Sequence, residues 1–199
     1  MTTSNPGDST RVRILDAAKA EFAHYGIAGA RVDRIAKTAK TSKERVYAHF
    51  RSKEALYSLV AAQELAAVAE ATQMDATDLP GYAGRIHDYF TRYPDNLRLM
   101  RWGQLELTDT GTDDATRDTV TRKVEQLRRA QRDGHLDPAW NPLDILMFLN
   151  QLAMSWAGQP DLTDTIDPAD RDAFSAARRA AIVTAVARLF PAAGASRQR

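Results

Sequence analysis

Cysteine is absent from the 199 residues. Its absence excludes disulfide frameworks, thiolate nucleophiles, cysteine-held zinc and iron–sulfur clusters. No apolar run approaches the roughly 20 residues of a membrane-spanning helix. The opening residues, MTTSNPGDST, lack the basic, apolar and small-residue order of a signal peptide. A cytoplasmic protein without a membrane partner is expected. Breakers are scarce early in the chain, with no glycine between Gly29 and Gly81 and no proline between Pro6 and Pro80. Helices should therefore dominate. Sustained period-two runs of β-branched or aromatic residues are missing too, so strands are not expected. Signatures of catalysis are equally thin. There is no H-E-x-x-H and no Gly-rich phosphate loop. His24, His49, His87 and His135 are scattered without metal-ligand spacing. His87 and Asp88 are adjacent and so do not share a helix face. No enzyme, no cofactor and no metal are expected.

What is present is ordinary globular material: 44% hydrophobic and 27% charged residues, enough to build a core without staples. The net charge of +1 hides an asymmetry. Residues 1–60 hold 11 Lys/Arg against 6 Asp/Glu, a net +5, whereas residues 61–199 hold 16 against 20, a net −4. A basic head on an acidic body points to a polyanion as partner for the head.

Periodicity organises the head. Ile14, Leu15, Ala18 and Phe22 share one face of a first helix that should begin near Asp8 to Thr10. It should stop at Gly26, where a left-handed cap favours glycine. Val32, Ile35, Ala36 and Ala39 mark a second, short helix. Thr41-Ser42-Lys43-Glu44 reads as a capping box, with Thr41 as the cap and Glu44 reaching back. It opens a short helix carrying Val46, Tyr47 and Phe50. Ser52 then caps a longer helix with Leu56, Leu59 and Val60 inward. The two short helices form a helix–turn–helix candidate. Val32, Ile35, Ala39, Val46 and Phe50 can supply its core. Lys37, Lys40, Lys43, Arg45, Arg51 and Lys53 remain for an exposed basic side, which supplies the salt-dependent phosphate attraction. A plain helical hairpin with a solvated basic face fits the same pattern.

The stretches Arg13 to Ala18, Phe22 with Tyr25-Gly26, Val32 to Ala36, Ser42 to Phe50 and Ser52 to Leu56 resemble the DNA-binding domain of the tetracycline-repressor (TetR) family. The likeness covers about residues 11–60 and includes the Tyr47-Ala48-His49-Phe50 block. It implies a DNA contact set of Arg31, Lys40, Thr41, Ser42, Lys43, Arg45, Tyr47, Ala48, His49 and Lys53. In that set Lys43 and Arg45 reach base edges, with guanine O6 and N7 as the favoured acceptors. Tyr47 and His49 take phosphate positions, Ala48 meets a thymine methyl, and Lys53 holds a phosphate at the start of the fourth helix. Three residues depart from the family pattern. Lys40 stands where glycine is frequent in the turn, Arg31 where threonine is, and Glu44 where a small residue is. They bear on the operator sequence rather than on the fold.

Beyond the head the chain should break at Pro80, Pro94, near Gly111, at Gly134 to Pro142 and at Gly158 to Pro168, with Asn141 and Asp167 as N-caps before prolines, giving an all-α chain of about nine helices. The resemblance implies the domain plan. An N-terminal three-helix DNA-binding domain over 8–54 leads, through a long helix from about 53, to a helical ligand-binding and dimerisation domain over 55–191. Residues 1–7 and 192–199 are expected to be disordered tails. Leu143 to Trp156 is apolar almost all round, and the last helix is rich in small and apolar residues, so each should be buried on several sides. Two such helices per subunit suit a four-helix dimer interface, with Leu149, Leu152, Ala153, Ala177, Ala181, Val186 and Leu189 as candidates. An ordinary monomer core is the alternative. For a ligand cavity the aromatic, methionine and amide stock offers Tyr89, Phe90, Trp102, Met147, Asn150, Gln151, Met154 and Trp156, and points to a sizeable organic ligand. These side chains can equally fill a core. The expected function is a homodimeric, ligand-responsive repressor released from a palindromic operator in double-stranded DNA. A regulator without a small-molecule ligand and a helical protein-interaction module are the competing readings.

Overall fold

The computed structural model describes residues 6–106, 114–157, 159 and 165–191. These residues form nine α-helices and contain no strand. The helices are α1 (Pro6–Gly29), α2 (Val32–Thr38), α3 (Lys43–His49), α4 (Lys53–Thr72), α5 (Leu79–Arg92), α6 (Pro94–Glu106), α7 (Asp114–Arg132), α8 (Pro142–Met154) and α9 (Arg171–Leu189). A single 3-10 turn, Pro168–Asp170, precedes α9.

Local chemistry explains most boundaries. Ser52 Oγ accepts from the Ala55 amide and caps α4. Asn141 Oδ1 accepts from Leu143 N ahead of Pro142, so α8 starts with a capping side chain and a proline that needs no amide partner. Asp167 and Pro168 do the same, but they open the 3-10 turn rather than the α-helix directly. Pro80 marks its expected break, which falls just ahead of it between Thr72 and Leu79. It sits in the first turn of α5, capped by Asp78, where its missing N–H costs nothing.

Other expectations shift. Helix α1 begins at Pro6 rather than between Asp8 and Thr10, because proline at the first helical position is pre-set for the helix. Pro6 and Gly7 are thus helical. The remaining expected tail residues, 1–5 and 192–199, lie outside the described residues, as do the expected break near Gly111 and most of the one beginning at Gly158. Gly26 has the positive φ a cap requires, 71°, but its ψ of −178° lies outside the left-handed helical region. The chain kinks there and resumes helical geometry to Gly29. That backbone region is essentially restricted to glycine. A Cβ at this position would also collide with Glu106 and lie 2.9 Å from the Trp102 ring.

Two compact units emerge: Met1–Ala66 with Asp95–Thr112, and Ala67–Pro94 with Asp113–Arg199. The boundary falls inside α4, and the first unit takes α6 back from the middle of the chain. This division by packing differs from the 8–54 and 55–191 division drawn from sequence.

In the first unit, Ile14, Phe22, Ile35, Val46, Leu56 and Leu99 are essentially sealed from solvent. Each such side chain contributes about 1.5–3 kcal/mol by burial. Tyr57 meets Phe22 edge-on and donates its hydroxyl to the Leu99 carbonyl at 2.8 Å, which fixes α6 to α4. Burial pushes the Tyr57 phenol up to about 12. In the second unit, α9 packs along α5, and α8 packs on both α5 and α7. Leu79, Tyr82, Leu127, Ile145, Leu149 and Val186 form its sealed interior.

Candidate nucleic-acid interface and pocket of the second unit

The helix–turn–helix is built from α2 and α3. Val32, Ile35, Ala39, Val46 and Phe50 are all buried, as their spacing predicts. The turn has a defined chemistry. Lys40 N donates to the Lys37 carbonyl and Thr41 N to the Ala36 carbonyl, the paired bonds of a Schellman motif. Lys40 occupies the left-handed position of that motif with φ 53°, where glycine would be unstrained. The capping box expected at Thr41 is displaced by one residue. Thr41 is used up in the turn, and Ser42, with extended backbone, is the cap; its Oγ accepts from Arg45 N at 3.2 Å. The Glu44 carboxyl lies below its ordinary range because its own amide and the Ser42 hydroxyl hydrogen-bond to it. It does not reach back to Thr41.

A polar clamp sets α2 against α1. Glu21, nearly buried, accepts from Arg31 N at 2.8 Å and from Arg34 Nε at 2.7 Å. Arg34 also donates to the Gly29 carbonyl and stacks 4.1 Å over the Tyr25 ring. From the other end of α2, Arg13 Nε donates to the Ala39 carbonyl. Sequence reasoning missed the positioning roles of Glu21 and Arg34. Their pairing spans 13 residues and two helices, so no local spacing reveals it.

Of the ten residues expected at DNA, Arg31, Lys40, Ser42, Lys43, Arg45, Tyr47 and Ala48 are exposed, and Thr41, His49 and Lys53 are half-buried. Tyr47 is 44% exposed on α3 beside the buried Val46. Arg31, Lys43, Tyr47 and Lys53 line one shallow concavity together with Arg51. Two cations there are already engaged. Lys43 pairs with Asp33 at 3.2 Å, an exposed bridge of small worth. Lys53 Nζ donates to the Ala28 and Ala30 carbonyls at 3.2 and 3.3 Å, tying the end of α1 to the start of α4. Lys53 therefore has a structural task beside the phosphate role expected of it.

At its far end the first unit joins α6 to the α1 kink. Glu106 accepts from Ala28 N at 2.6 Å, and Trp102 Nε1 donates to the Ala23 carbonyl at 3.3 Å. Trp102, expected in a ligand cavity, belongs to this unit's packing.

A cavity of about 370 Å³ lies in the second unit. Its walls are His87 and Thr91 of α5 with Pro94, then Trp156 and Ala157 after α8, Ile166, and Arg171, Phe174, Ser175 and Arg178 of α9. Of the eight residues expected to bind ligand, only Trp156 lines it. Phe90 is buried and Tyr89, Asn150 and Met154 half-buried, while Met147 and Gln151 are exposed on α8. Helical spacing cannot tell which side of α8 or α9 faces a cavity, so Phe174 and Arg178 were out of its reach. The residues expected at a dimer interface also divide. Leu149, Ala153 and Val186 turn into the unit's own core and have no surface to offer a partner. Leu152 and Leu189 are half-buried, and Ala177 and Ala181 are exposed. Leu143, Met147 and Phe148 add three large apolar side chains, each 46–47% exposed on α8.

No described helix is long and apolar enough to cross a membrane, and no described His, Asp or Glu cluster is placed to hold a metal ion.

Comparison with known proteins agrees with this arrangement. Residues 14–60 match the family described as bacterial regulatory proteins, tetR family, and residues 78–188 match the tetracyclin repressor-like C-terminal domain. The chain is 34% identical over 152 residues to the HTH-type transcriptional repressor SCO4008 of Streptomyces coelicolor, covering 75% of this chain and 79% of that one. A crystal structure of SCO4942 from Streptomyces coelicolor, assigned as a transcriptional regulator, superposes with a TM-score of 0.80. The identity is 56%, covering 92% of this chain and 98% of that one. FadR from Bacillus subtilis, solved with stearoyl-CoA, has a TM-score of 0.62 at 17% identity, covering 87% of this chain and 97% of that one, a likeness of fold alone. The chain belongs to the TetR family of DNA-binding transcriptional regulators.

Proposed function

We propose that the protein is a homodimeric, ligand-responsive repressor that works in the cytoplasm and leaves a palindromic operator when a small organic molecule binds its second unit. The observation that carries this reading is the α3 surface. Ser42, Lys43, Arg45, Tyr47 and Ala48 are exposed on a helix whose inner side is fixed by Val46. A helix of this kind fits the major groove with its N-terminal residues at base edges. In this reading Lys43 leaves Asp33 to meet a base or phosphate, and Arg45 reads guanine. Tyr47, His49, Arg31, Lys40 and Thr41 contact the backbone.

Dimerisation rests on the exposed apolar side of α8 with the small-residue side of α9, Ala177 and Ala181. A two-fold dimer matches a palindrome whose half-sites lie one DNA turn or a multiple apart. The 8–54 segment is the DNA-reading part and the remainder the sensing and pairing part. Ligand response is a population shift: the ligand favours one spacing of the two heads through its differential affinity for two conformers. Covalent continuity supports such coupling, since the chain passes between the two compact units three times, inside α4, at Pro94–Asp95 and after Thr112.

Footprinting on the protein's own upstream DNA, at low and moderate salt, tests the reading. The expected result is a protected near-palindrome that survives moderate salt. Uniform protection lost on adding salt would mean that the head binds DNA without reading it.

A further inference from the structure

The second unit's cavity contains two features that an apolar core does not need. The first is His87. It is 3% exposed, it lines the cavity, and neither ring nitrogen makes a hydrogen bond. The Ala153 carbonyl is near enough to favour the charged ring but lies outside hydrogen-bond geometry. Buried polar atoms are nearly always partnered in native folds, so an orphaned ring at a cavity wall marks a place for a polar group from outside the chain. The second is Arg178. Its guanidinium lies 5.1 Å from the centroids of both Trp156 and Phe174, and it makes no ion pair among the described residues. Its Nε is buried without an acceptor. The neighbouring Arg179 shows the contrast, because Asp88 holds it through two bonds of 2.8 and 2.9 Å. Among the described lining residues there is no carboxylate, and the exposed Arg171 adds a second cation to the wall.

From this geometry we infer that the cavity takes a small organic acid. Its apolar body lies against Trp156, Phe174 and Ile166. Its carboxylate sits on the Arg178 guanidinium with Arg171 near, and a second polar group reaches His87. A guanidinium beside two aromatic rings and without a carboxylate partner keeps donors that match a carboxylate two to two. Burial and Arg179 hold His87 below its ordinary pKa against the opposing pull of Asp88, so the neutral ring offers one donor and one acceptor. A volume of about 370 Å³ suits one compact molecule. The inference names the ligand class for the sensing site proposed above and rests on that reading.

The test uses the full chain and two matched probe pairs, 2-naphthoate with 2-naphthamide and 4-phenylbutyrate with 4-phenylbutanamide, titrated by calorimetry. Each acid should bind about tenfold or more tighter than its amide, the range expected of a charge-assisted hydrogen bond. Arg178→Gln should abolish the preference while amide binding persists. Equal affinities within the pairs in the unsubstituted protein would overturn the inference. So would the absence of binding by all four probes at millimolar concentration. The acid–amide comparison in the unsubstituted protein stands even if Arg178→Gln folds poorly, which a circular-dichroism melt reveals. Operator affinity, measured by anisotropy with and without probe, separates the two readings. An acid preference with unchanged operator affinity keeps the site and removes its regulatory role. Operator release by acid and amide alike keeps the regulatory role and removes the acid specificity.

Discussion

The two compact units place their cations differently. In the first, the buried carboxylate is paired: Glu21 binds Arg34 and the Arg31 amide, and the result is a fixed angle between α1 and α2. The cations around α3 stay at the surface, where Lys40, Lys43 and Arg45 are exposed. In the second unit two cations, Arg178 and Lys123, are drawn partly inward. Arg178 lies 5.1 Å from the centroids of two rings, and Lys123 donates to the buried Tyr82 hydroxyl at 2.7 Å. Desolvation lowers the Lys123 amine and raises the Tyr82 phenol to about 12. The difference teaches what each unit can attract. Exposed cations on a rigid frame suit an extended polyanion whose counterions are released on contact. A half-buried cation with no carboxylate partner among the described residues suits a single small anion, because its attraction is screened less.

The rigid frame is the first thing to break. Gly26→Ala puts a Cβ into a glycine-only backbone region and against Glu106 and Trp102. It should lower stability by about 2 kcal/mol or more, read by chemical denaturation, and weaken operator binding at temperatures where the protein remains folded. Unchanged stability would show that the kink does not depend on glycine.

Next comes the exposed side of the comparison. Arg45→Ala should cost about 1–3 kcal/mol of discrimination between operator and random DNA, measured by anisotropy competition. Lys43→Ala should cost less, because Lys43 must first leave Asp33. Equal losses on operator and random sequence would reduce Arg45 to a phosphate contact.

A gain should follow at the turn. Lys40→Gly relieves a left-handed residue that costs about 1 kcal/mol. The melting temperature should rise by about 2–4 °C for a chain of this size, while DNA affinity falls through the lost charge. No rise in melting temperature would mean that Lys40 makes up its backbone cost by contacts of its side chain.

The smallest expected effect concerns the enclosed side. Folded His87 has a pKa below its ordinary 6.5, so the unfolded state takes up its proton first as pH falls. Stability contributed by the neutral ring is complete above about pH 6.5 and declines below it toward the folded pKa. Compared from about pH 7.5 to pH 5, the denaturation midpoint of the unsubstituted protein should fall relative to that of His87→Gln as pH falls. Parallel profiles would mean that the ring is not held neutral by burial.

Much of the first unit is legible from local pattern. The apolar spacing of Val32, Ile35, Ala39, Val46 and Phe50 names a core that is buried as read. Ser52, Asn141 and Asp167 announce their caps because a capping oxygen acts within two or three residues. The cap of α3 is read one residue early, because both Thr41 and Ser42 can cap and only the Schellman turn decides between them. The cavity is far less legible. Leu143 to Trp156 is apolar on nearly every side, so its periodicity carries no preferred face. Leu149 and Ala153 therefore go to the core, whereas Met147 and Phe148 go to the surface, without a signal that separates them.

The sequence alone determined the helical class, the helix–turn–helix and its exposed basic residues. Those properties follow from spacing, capping and charge within a few turns of chain. Tertiary structure alone decided that Glu21 positions α2, that Trp102 joins α6 to α1, and that His87, Trp156, Phe174 and Arg178 share one cavity. Apart from Phe174 and Arg178, which share α9, these residues stand 10 to 91 positions from their partners, and only the packing of whole helices fixes which of their faces meet.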